Sequence, residues 1–118
     1  MSNIKDLTKK VREFRDARDW KQFHNPKDLA ISLTLEAAEV LEHFQWKSPQ
    51  EIEQYVISNS KDIAEELADV LYWVLLMAND LHIDVSQAFL DKLQKNEAKY
   101  PVEKSKGNHK KYTELAGE

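Results

Sequence analysis

Near its start, the chain carries apolar residues at the spacing of an amphipathic helix. Ile4, Leu7, Val11 and Phe14 follow one another at intervals of three, four and three residues. Residues three and four apart share one face of an α-helix. The pattern therefore predicts a helix over residues 4–17 with one buried side.

Proline and small polar residues mark the start of the next two helices. Asn25 precedes Pro26, which is typical of an N-cap followed by the first helical position, and this helix is predicted to reach about Phe44. Ser48 is followed by a proline and, three residues on, by Glu51. That capping-box pattern predicts the start of a short third helix.

Two more helices complete the predicted bundle. The third helix is predicted to end near residues 59–60, and a fourth, the most apolar of all, covers about residues 61–81. Asp84 is a suitable N-cap for a fifth helix, with Gln87 three residues later. That helix is predicted to end at Tyr100, because a proline follows it.

After the fifth helix the sequence loses its helical period and becomes polar and basic. We therefore divide the chain into a helical domain, residues 1–101, and a polar C-terminal tail, residues 102–118. The tail is expected to be ordered only where it docks on another surface.

Composition favours an all-α helical bundle of about five helices. Of the 118 residues two are glycine, at positions 107 and 117. Tight hairpins lean on glycine, so a β-rich domain is disfavoured. Glycine-dependent phosphate loops are excluded over the first 106 residues. A domain of this size buries only about two-thirds of its unfolded surface, so a second copy is expected to complete the bundle as a homo-oligomer, a dimer or tetramer.

Charge and cysteine content limit the possible partners. The chain has 17 Lys+Arg and 21 Asp+Glu, a formal net charge of −4, and no cysteine. It offers no basic footprint for a nucleic acid polymer and no thiolate site for zinc. The first residues, MSNIKDLTKKV, lack a signal-peptide core, and the longest apolar run, residues 70–78, is far shorter than a membrane span of about 20 residues. We expect a cytoplasmic protein that binds no membrane.

The second helix places acidic residues on its apolar face. The residues that form the apolar stripe are Leu29, Leu33, Val40 and Phe44. Glu36 falls inside this stripe, and Glu39 lies on its edge one turn further along. The two carboxylates are therefore neighbours on the core-facing side of one helix.

The fourth helix repeats this arrangement. Its apolar stripe consists of Ile63, Val70, Val74, Met77 and Leu81. Glu66 falls within the stripe, Asp69 lies beside it, and Trp73 lies on the same face. Two separate helices thus each carry an acid pair spaced by three residues, with its first member facing the core.

Such clustered carboxylates need compensation. Like charges at this spacing destabilise a helix by ~0.2–0.5 kcal/mol, and burying an unpaired carboxylate costs several kcal/mol more. Pairing with Lys or Arg, protonation, or binding of a divalent cation would each compensate. Neither stripe contains a basic residue. A single acid pair is usually a solvated face, but two pairs on core-facing stripes favour a Mg²⁺ site.

Aromatic and basic residues add weaker signals. Trp20 and His24 precede the second helix and Trp46 follows it. Tryptophans at helix ends usually close a core, although such rings also stack on planar bases. The fifth helix carries Lys92, Asn96 and Lys99 on one face. By itself such a face is usually only solvent-exposed, but beside a metal cluster the two lysines would bind phosphate oxygens.

The spacing of the acids resembles that of a known family. EAAE at 36–39, followed after 26 residues by ELAD at 66–69, is similar to the ExxE…ExxD signature of the MazG-like all-α nucleotide pyrophosphohydrolases. Further blocks resemble its dCTP pyrophosphatase subgroup: RDW at 18–20, FH at 23–24, Pro26, FQWK at 44–47, Lys92, Asn96, Lys99 to Pro101, and KYTEL at 111–115. The resemblance covers nearly the whole chain. Trp73 departs from it, standing where relatives often carry tyrosine, and so does Val11, where some carry histidine.

The resemblance implies an enzyme that cleaves a nucleoside triphosphate, dCTP or a modified dCTP first of all, to the monophosphate and pyrophosphate with Mg²⁺. The residues that match the metal ligands are Glu36, Glu39, Glu66 and Asp69. Either Glu36 or Glu39 would accept the proton of the attacking water. Lys92 and Asn96 match phosphate-side and sugar-side positions, with Lys92 assigned a catalytic role.

The residues assigned to substrate binding are Trp20, His24, Trp46, Trp73, Lys92, Asn96 and Lys99. Three alternatives remain open. The first is a broad-specificity NTP/dNTP pyrophosphatase, and the second is a helical metal-binding or nucleotide-binding module without turnover. The third, a di-iron bundle, is disfavoured because neither acid pair has a His three residues after a glutamate.

Overall fold

A computed structural model of the chain describes residues 3–115, and its regular elements in this part are all helical. The long helices are α1 (Ile4–Ala17), α2 (Pro26–Glu42), α3 (Pro49–Ser58), α4 (Ser60–Asp80) and α5 (Val85–Lys99). A 3₁₀ turn (Lys21–Phe23) lies between α1 and α2, and two four-residue helices, α6 (Val102–Ser105) and α7 (Tyr112–Leu115), follow α5. The predicted all-α class is confirmed.

The helices begin where their capping residues predicted. The Asn25 side chain caps α2 by accepting a hydrogen bond from the Asp28 backbone N–H at 3.0 Å. At the start of α3, Ser48 Oγ accepts from the Glu51 N–H at 3.2 Å, while Glu51 Oε1 accepts from the Ser48 N–H at 3.1 Å. This reciprocal pair confirms the predicted capping box. Asp84 caps α5 through the same kind of bond.

The chain divides into two compact units between Ile83 and Asp84. In the first unit α4 is the central helix, because α2, α1 and α3 all pack against it, and α2 does so most extensively. The second unit contains α5 and the short helices α6 and α7, which lie in the segment predicted as a polar tail. The division into residues 1–101 and 102–118 stays a prediction.

The predicted apolar stripe of α2 faces the inside of the first unit. Leu29 is completely buried, and Leu33 and Val40 are partly buried. In α4, by contrast, the deepest side chains are Leu75 and Leu76, which lie beside the predicted stripe rather than on it. The C-terminal half of α4 buries a wider face because α1 packs against it in addition to α2.

One ion pair links α1 to the end of α4. The Arg15 guanidinium donates to both carboxylate oxygens of Asp80, with Nη1–Oδ2 at 2.6 Å and Nη2–Oδ1 at 2.9 Å. Only 1% of the Arg15 side chain is exposed, against 17% for Asp80. The sequence analysis missed this pair, although it fixes how α1 lies on α4.

Among the helices described in residues 3–115, none is both long enough and apolar enough to cross a membrane.

Candidate active site

The two acid pairs of α2 and α4 meet across the packed helices. Glu36, Glu39, Glu66 and Asp69 each offer a carboxylate oxygen, and these four oxygens lie within 4.8 Å of one another. Glu36 and Glu66, the first members of the pairs, are partly buried, whereas Glu39 and Asp69 are exposed. The helical periodicity had predicted this alternation, and the packing of α2 on α4 brings the pairs together.

Burial and the neighbouring carboxylates raise the pKa of the two partly buried members of the cluster, Glu36 and Glu66. Burial, followed by the neighbouring Glu39 carboxylate, raises the pKa of Glu36 to about 6. The pKa of Glu66 is also raised, first by its hydrogen-bonding proximity to Glu39 and then by burial. Within residues 3–115, none of the four carboxylates forms an ion pair with a basic side chain.

The donor set suits a hard divalent cation. Glu36 Oε2 and Glu66 Oε2 are shielded from solvent and accept no hydrogen bond. Buried carboxylate oxygens normally have a partner, so these two atoms indicate a ligand that the protein chain does not supply. Carboxylate oxygens are the ligands that Mg²⁺ prefers. The four residues thus fit a site for a divalent metal ion.

An aromatic pocket opens beside the acids. Its volume is about 460 Å³, and Glu36 and Asp69 form part of its lining. The remaining lining residues come from α1, α4 and the connection after α1: Lys10, Val11, Phe14, Trp20, Tyr72 and Trp73. The pocket therefore combines carboxylates at one part of its wall with a largely aromatic surface at another.

The aromatic wall is a continuous series of edge-to-face contacts. The ring centroids lie 5.8 Å apart for Trp20–Phe14 and 6.2 Å for Phe14–Tyr72. The series continues with Tyr72–Trp73 at 4.9 Å and Trp73–His24 at 5.6 Å. Because each ring contacts the next, these five side chains form one packed aromatic cluster.

Of the aromatic residues assigned to substrate binding, Trp20 and Trp73 line this pocket. The His24 ring contacts Trp73, and burial lowers the pKa of His24 and leaves its Nδ1 shielded, with no hydrogen-bond partner among the described residues. Trp46 is 91% exposed, has a backbone φ of 67°, and is absent from the lining of this pocket. The structure thus places two of the four aromatic candidates in the pocket, and a third, His24, contacts one of them.

The predicted phosphate-side residues belong to the second unit. Lys92 is exposed on α5, while Asn96 and Lys99 are partly buried. Their assignment to substrate binding stays a prediction.

Three pocket residues were missed by the sequence analysis: Lys10, Phe14 and Tyr72. Phe14 and Tyr72 belong to apolar runs that predict core positions. Lys10 lies one turn before Phe14 on α1, a spacing that could have placed it on the same face. The sequence does not show how α1 crosses α4, so it could not place the Lys10 face of α1 near the carboxylate cluster.

The chain is similar in sequence to a known protein family. The sequence profile of the MazG-like family matches residues 31–115, a segment that includes both acid pairs. The chain belongs to the MazG-like family.

Curated relatives of this MazG-like chain extend the likeness towards the N-terminus. It is 38% identical over 114 residues to dCTP pyrophosphatase 1 of Mus musculus, an alignment that covers 95% of this chain and 67% of the mouse protein. With dCTP pyrophosphatase 1 of Homo sapiens the identity is 36% over 114 residues, covering 95% and 67% respectively.

A solved structure supports the same fold. The crystal structure of a pyrophosphatase from Archaeoglobus fulgidus superposes with a TM-score of 0.79 at 39% sequence identity. The match covers 86% of this MazG-like chain and 94% of the archaeal one. The all-α pyrophosphatase architecture is therefore confirmed.

Proposed function

We propose that this protein is a Mg²⁺-dependent pyrophosphohydrolase that cleaves dCTP or a modified dCTP to the monophosphate and pyrophosphate. The observation that carries the proposal is the four-carboxylate cluster opening onto an aromatic pocket. Such a site fits a substrate with a polyanionic end and a planar, uncharged end. We propose a cytoplasmic role for this activity in nucleotide-pool control or house-cleaning.

The enzyme class rests on family membership. The chain is a hydrolase that acts on the phosphoric anhydride of a nucleoside triphosphate, as expected of a MazG-like protein whose relatives are named pyrophosphatases. The preference for dCTP rests on the curated relatives named dCTP pyrophosphatase 1. A broad-specificity NTP/dNTP pyrophosphatase is the alternative that a substrate panel separates from it.

The carboxylates have two tasks in this reaction. Bound Mg²⁺ would screen the triphosphate charge and lower the pKa of a water molecule. We propose that Glu36, Glu39, Glu66 and Asp69 hold the metal, and that Glu36 or Glu39 accepts the proton of the attacking water. The water oxygen adds to phosphorus while the anhydride bond breaks, and pyrophosphate leaves. No backbone phosphate loop is available in this glycine-poor sequence.

The aromatic wall would hold the nucleobase. Trp20 and Trp73 line the pocket, and the His24 ring contacts Trp73 edge to face. Stacking on aromatic rings contributes about 1–3 kcal/mol per base. Trp46 is proposed to stack on the base as well, and its high exposure leaves its ring accessible to a ligand.

Residues of α5 are proposed to complete substrate binding. Lys92 and Lys99 would donate to phosphate oxygens that the metal leaves uncovered, and Asn96 would meet the sugar. Their spacing of four and three residues puts them on one helix face. Lys92 would also stabilise charge on the departing pyrophosphate.

A homo-oligomer is proposed because apolar side chains line outer faces of the first unit. Ile31 and Leu35, one turn apart on α2, are exposed, and so are Leu67 and Leu71 on α4. A second copy covering both pairs would remove this apolar surface from water. Light scattering should give the mass of a dimer or tetramer, and Leu35→Glu should lower it. A monomeric wild-type protein would contradict this part of the proposal.

The reaction is tested with a panel of canonical and modified dNTPs and NTPs, assayed with Mg²⁺ and analysed by mass spectrometry. Pyrophosphate and the monophosphate are the expected products. Glu36→Gln and Asp69→Asn should each abolish Mg²⁺-dependent turnover. Glu65→Gln is the matched control, since Glu65 is exposed beside the cluster without belonging to it.

Three outcomes would contradict the proposal. Orthophosphate as the first product would indicate a stepwise phosphatase. Full activity in Glu36→Gln would remove that residue from the metal site. Binding of nucleotide without any turnover would favour a helical metal-binding or nucleotide-binding module.

A further inference from the structure

Among the residues of the described range 3–115 that line the aromatic pocket, Lys10 is the one cation. The other charged lining residues are Glu36 and Asp69, which belong to the acid cluster. Within residues 3–115, no ion pair joins Lys10 to either carboxylate. The lysine therefore does not neutralise the cluster, and its ammonium group is available to a ligand in the pocket.

The position of Lys10 on α1 places it next to the aromatic wall. It precedes Phe14 by four residues in the same helix, so the two side chains are neighbours on one face. Phe14 in turn contacts the rings of Trp20 and Tyr72. A base stacked along this wall would present its edge within reach of the long lysine side chain.

We infer that Lys10 selects the nucleobase by donating a hydrogen bond to an acceptor atom on the base edge. Aromatic faces stack on every base and discriminate weakly. An ammonium group has three donors and no acceptor, so it favours an edge with a carbonyl oxygen or an unprotonated ring nitrogen. Cytosine offers both atoms side by side. This inference rests on the proposed function, because it assumes that a nucleotide occupies the pocket.

The test compares substrates with and without a base in Lys10→Met, which removes the charge but keeps an unbranched apolar side chain. The probes are dCTP and 2-deoxyribose 5-triphosphate, which has the same phosphates and no base. The ratio of their kcat/KM values should fall about tenfold in Lys10→Met, in line with one lost charge-assisted hydrogen bond. Lys10→Arg should recover most of the ratio.

Lys9→Met is the matched control. Lys9 is the adjacent residue, and it forms a surface ion pair with Glu13 at 3.9 Å instead of lining the pocket. Its replacement should leave the ratio within about twofold of the wild-type value. An equal effect of both lysine variants would overturn the inference, since a general change in surface charge would then explain it.

A second readout does not depend on turnover. Titration of tryptophan fluorescence with dCMP and with 2-deoxyribose 5-phosphate gives two dissociation constants for each variant. Lys10→Met should raise the Kd for dCMP about tenfold and leave the Kd for the sugar phosphate unchanged. Equal weakening of both ligands would mean that Lys10 contacts phosphate, and no weakening of either would mean that it contacts neither. Both outcomes overturn the inference.

Failure of the proposed function is distinguishable from failure of this inference. If the wild-type protein releases pyrophosphate from no triphosphate, the proposed function fails, and the dCMP titration decides the role of Lys10. If turnover is normal but the substrate ratio is unchanged in Lys10→Met, only the inference fails.

Discussion

Replacing Asp80 by asparagine tests the ion pair that joins α1 to α4. Arg15 donates to both oxygens of Asp80 at 2.6 and 2.9 Å, and its side chain is 1% exposed. The substitution keeps the shape of the side chain and one acceptor oxygen, but it removes the negative charge. The buried Arg15 guanidinium would then keep as its counter-charge only the more distant Asp16 carboxylate, whose Oδ1 lies 3.8 Å from Arg15 Nε.

The expected cost follows from that burial. Removing one partner of a buried pair destabilises proteins by about 3–5 kcal/mol, because the remaining charge is uncompensated. The retained amide oxygen and the partial exposure of Asp80, 17%, favour the lower end of that range. For a chain of 118 residues, about 3 kcal/mol corresponds to a fall in Tm of roughly 12 °C. The free energy of unfolding should fall accordingly.

Urea denaturation at a fixed protein concentration measures this loss, since oligomerisation would make the stability depend on concentration. Glu13→Gln is the control, because its ion pair with Lys9 spans 3.9 Å on the surface and should contribute less than about 1 kcal/mol. The double variant Arg15→Met with Asp80→Asn should be more stable than Asp80→Asn alone, because it removes a buried charge that Asp16 compensates only in part. A cost for Asp80→Asn no larger than that for Glu13→Gln would refute the reasoning.

The remaining predictions concern pH, the metal and a helix cap. Arg15 holds the pKa of Asp80 below its usual range, so the ion pair stabilises the fold fully above the unfolded-state pKa of about 4, and this stabilisation is lost as the pH falls further. The difference in unfolding free energy between wild type and Asp80→Asn should therefore be constant from about pH 8 to 5. A difference that already shrinks between pH 8 and 6 would implicate another group. Glu36→Gln should raise the Tm in EDTA by roughly 4 °C, because the fold disfavours the charged form of Glu36. Added Mg²⁺ should raise the Tm of the wild type more than that of the variant. A wild-type Tm that does not change when Mg²⁺ is added would count against the metal site. Ser48→Ala should lower the free energy of unfolding by about 1 kcal/mol through loss of the capping box, and a cost below about 0.3 kcal/mol in urea denaturation would show that the cap is dispensable.

Local signals in the sequence were sufficient to predict the helices and the acid pairs. A cap such as Asn25 acts on an N–H three residues away, so its effect is contained in a few neighbouring residues. The partial burial of Glu36 and Glu66 likewise follows from their places in a helical stripe. Prediction succeeded wherever the physical cause and its consequence lay on the same helix.

Features that depend on how α1 packs against α4 were missed. Arg15 and Asp80 are separated by 65 residues in the sequence. Taken alone, each residue type predicts a solvent-exposed charge. Lys10 and Tyr72 line one pocket only because α1 crosses α4 beside the acids. No periodicity specifies that crossing, since it results from the packing of side chains across the interface.

Among the acids of α4, one is paired with a basic residue of the chain and another belongs to the carboxylate cluster. This contrast bears on the role of the cluster. Asp80 has its counter-charge within the chain, and the bidentate contact with Arg15 lowers its pKa and secures the fold. Asp69 belongs to a cluster in which Glu36 has a raised pKa and a buried oxygen without a partner. A fold optimised only for stability would pair or remove those charges, as it does at Asp80. Their persistence on a core-facing surface is therefore the strongest physical argument that the missing partner is a cation bound from solution.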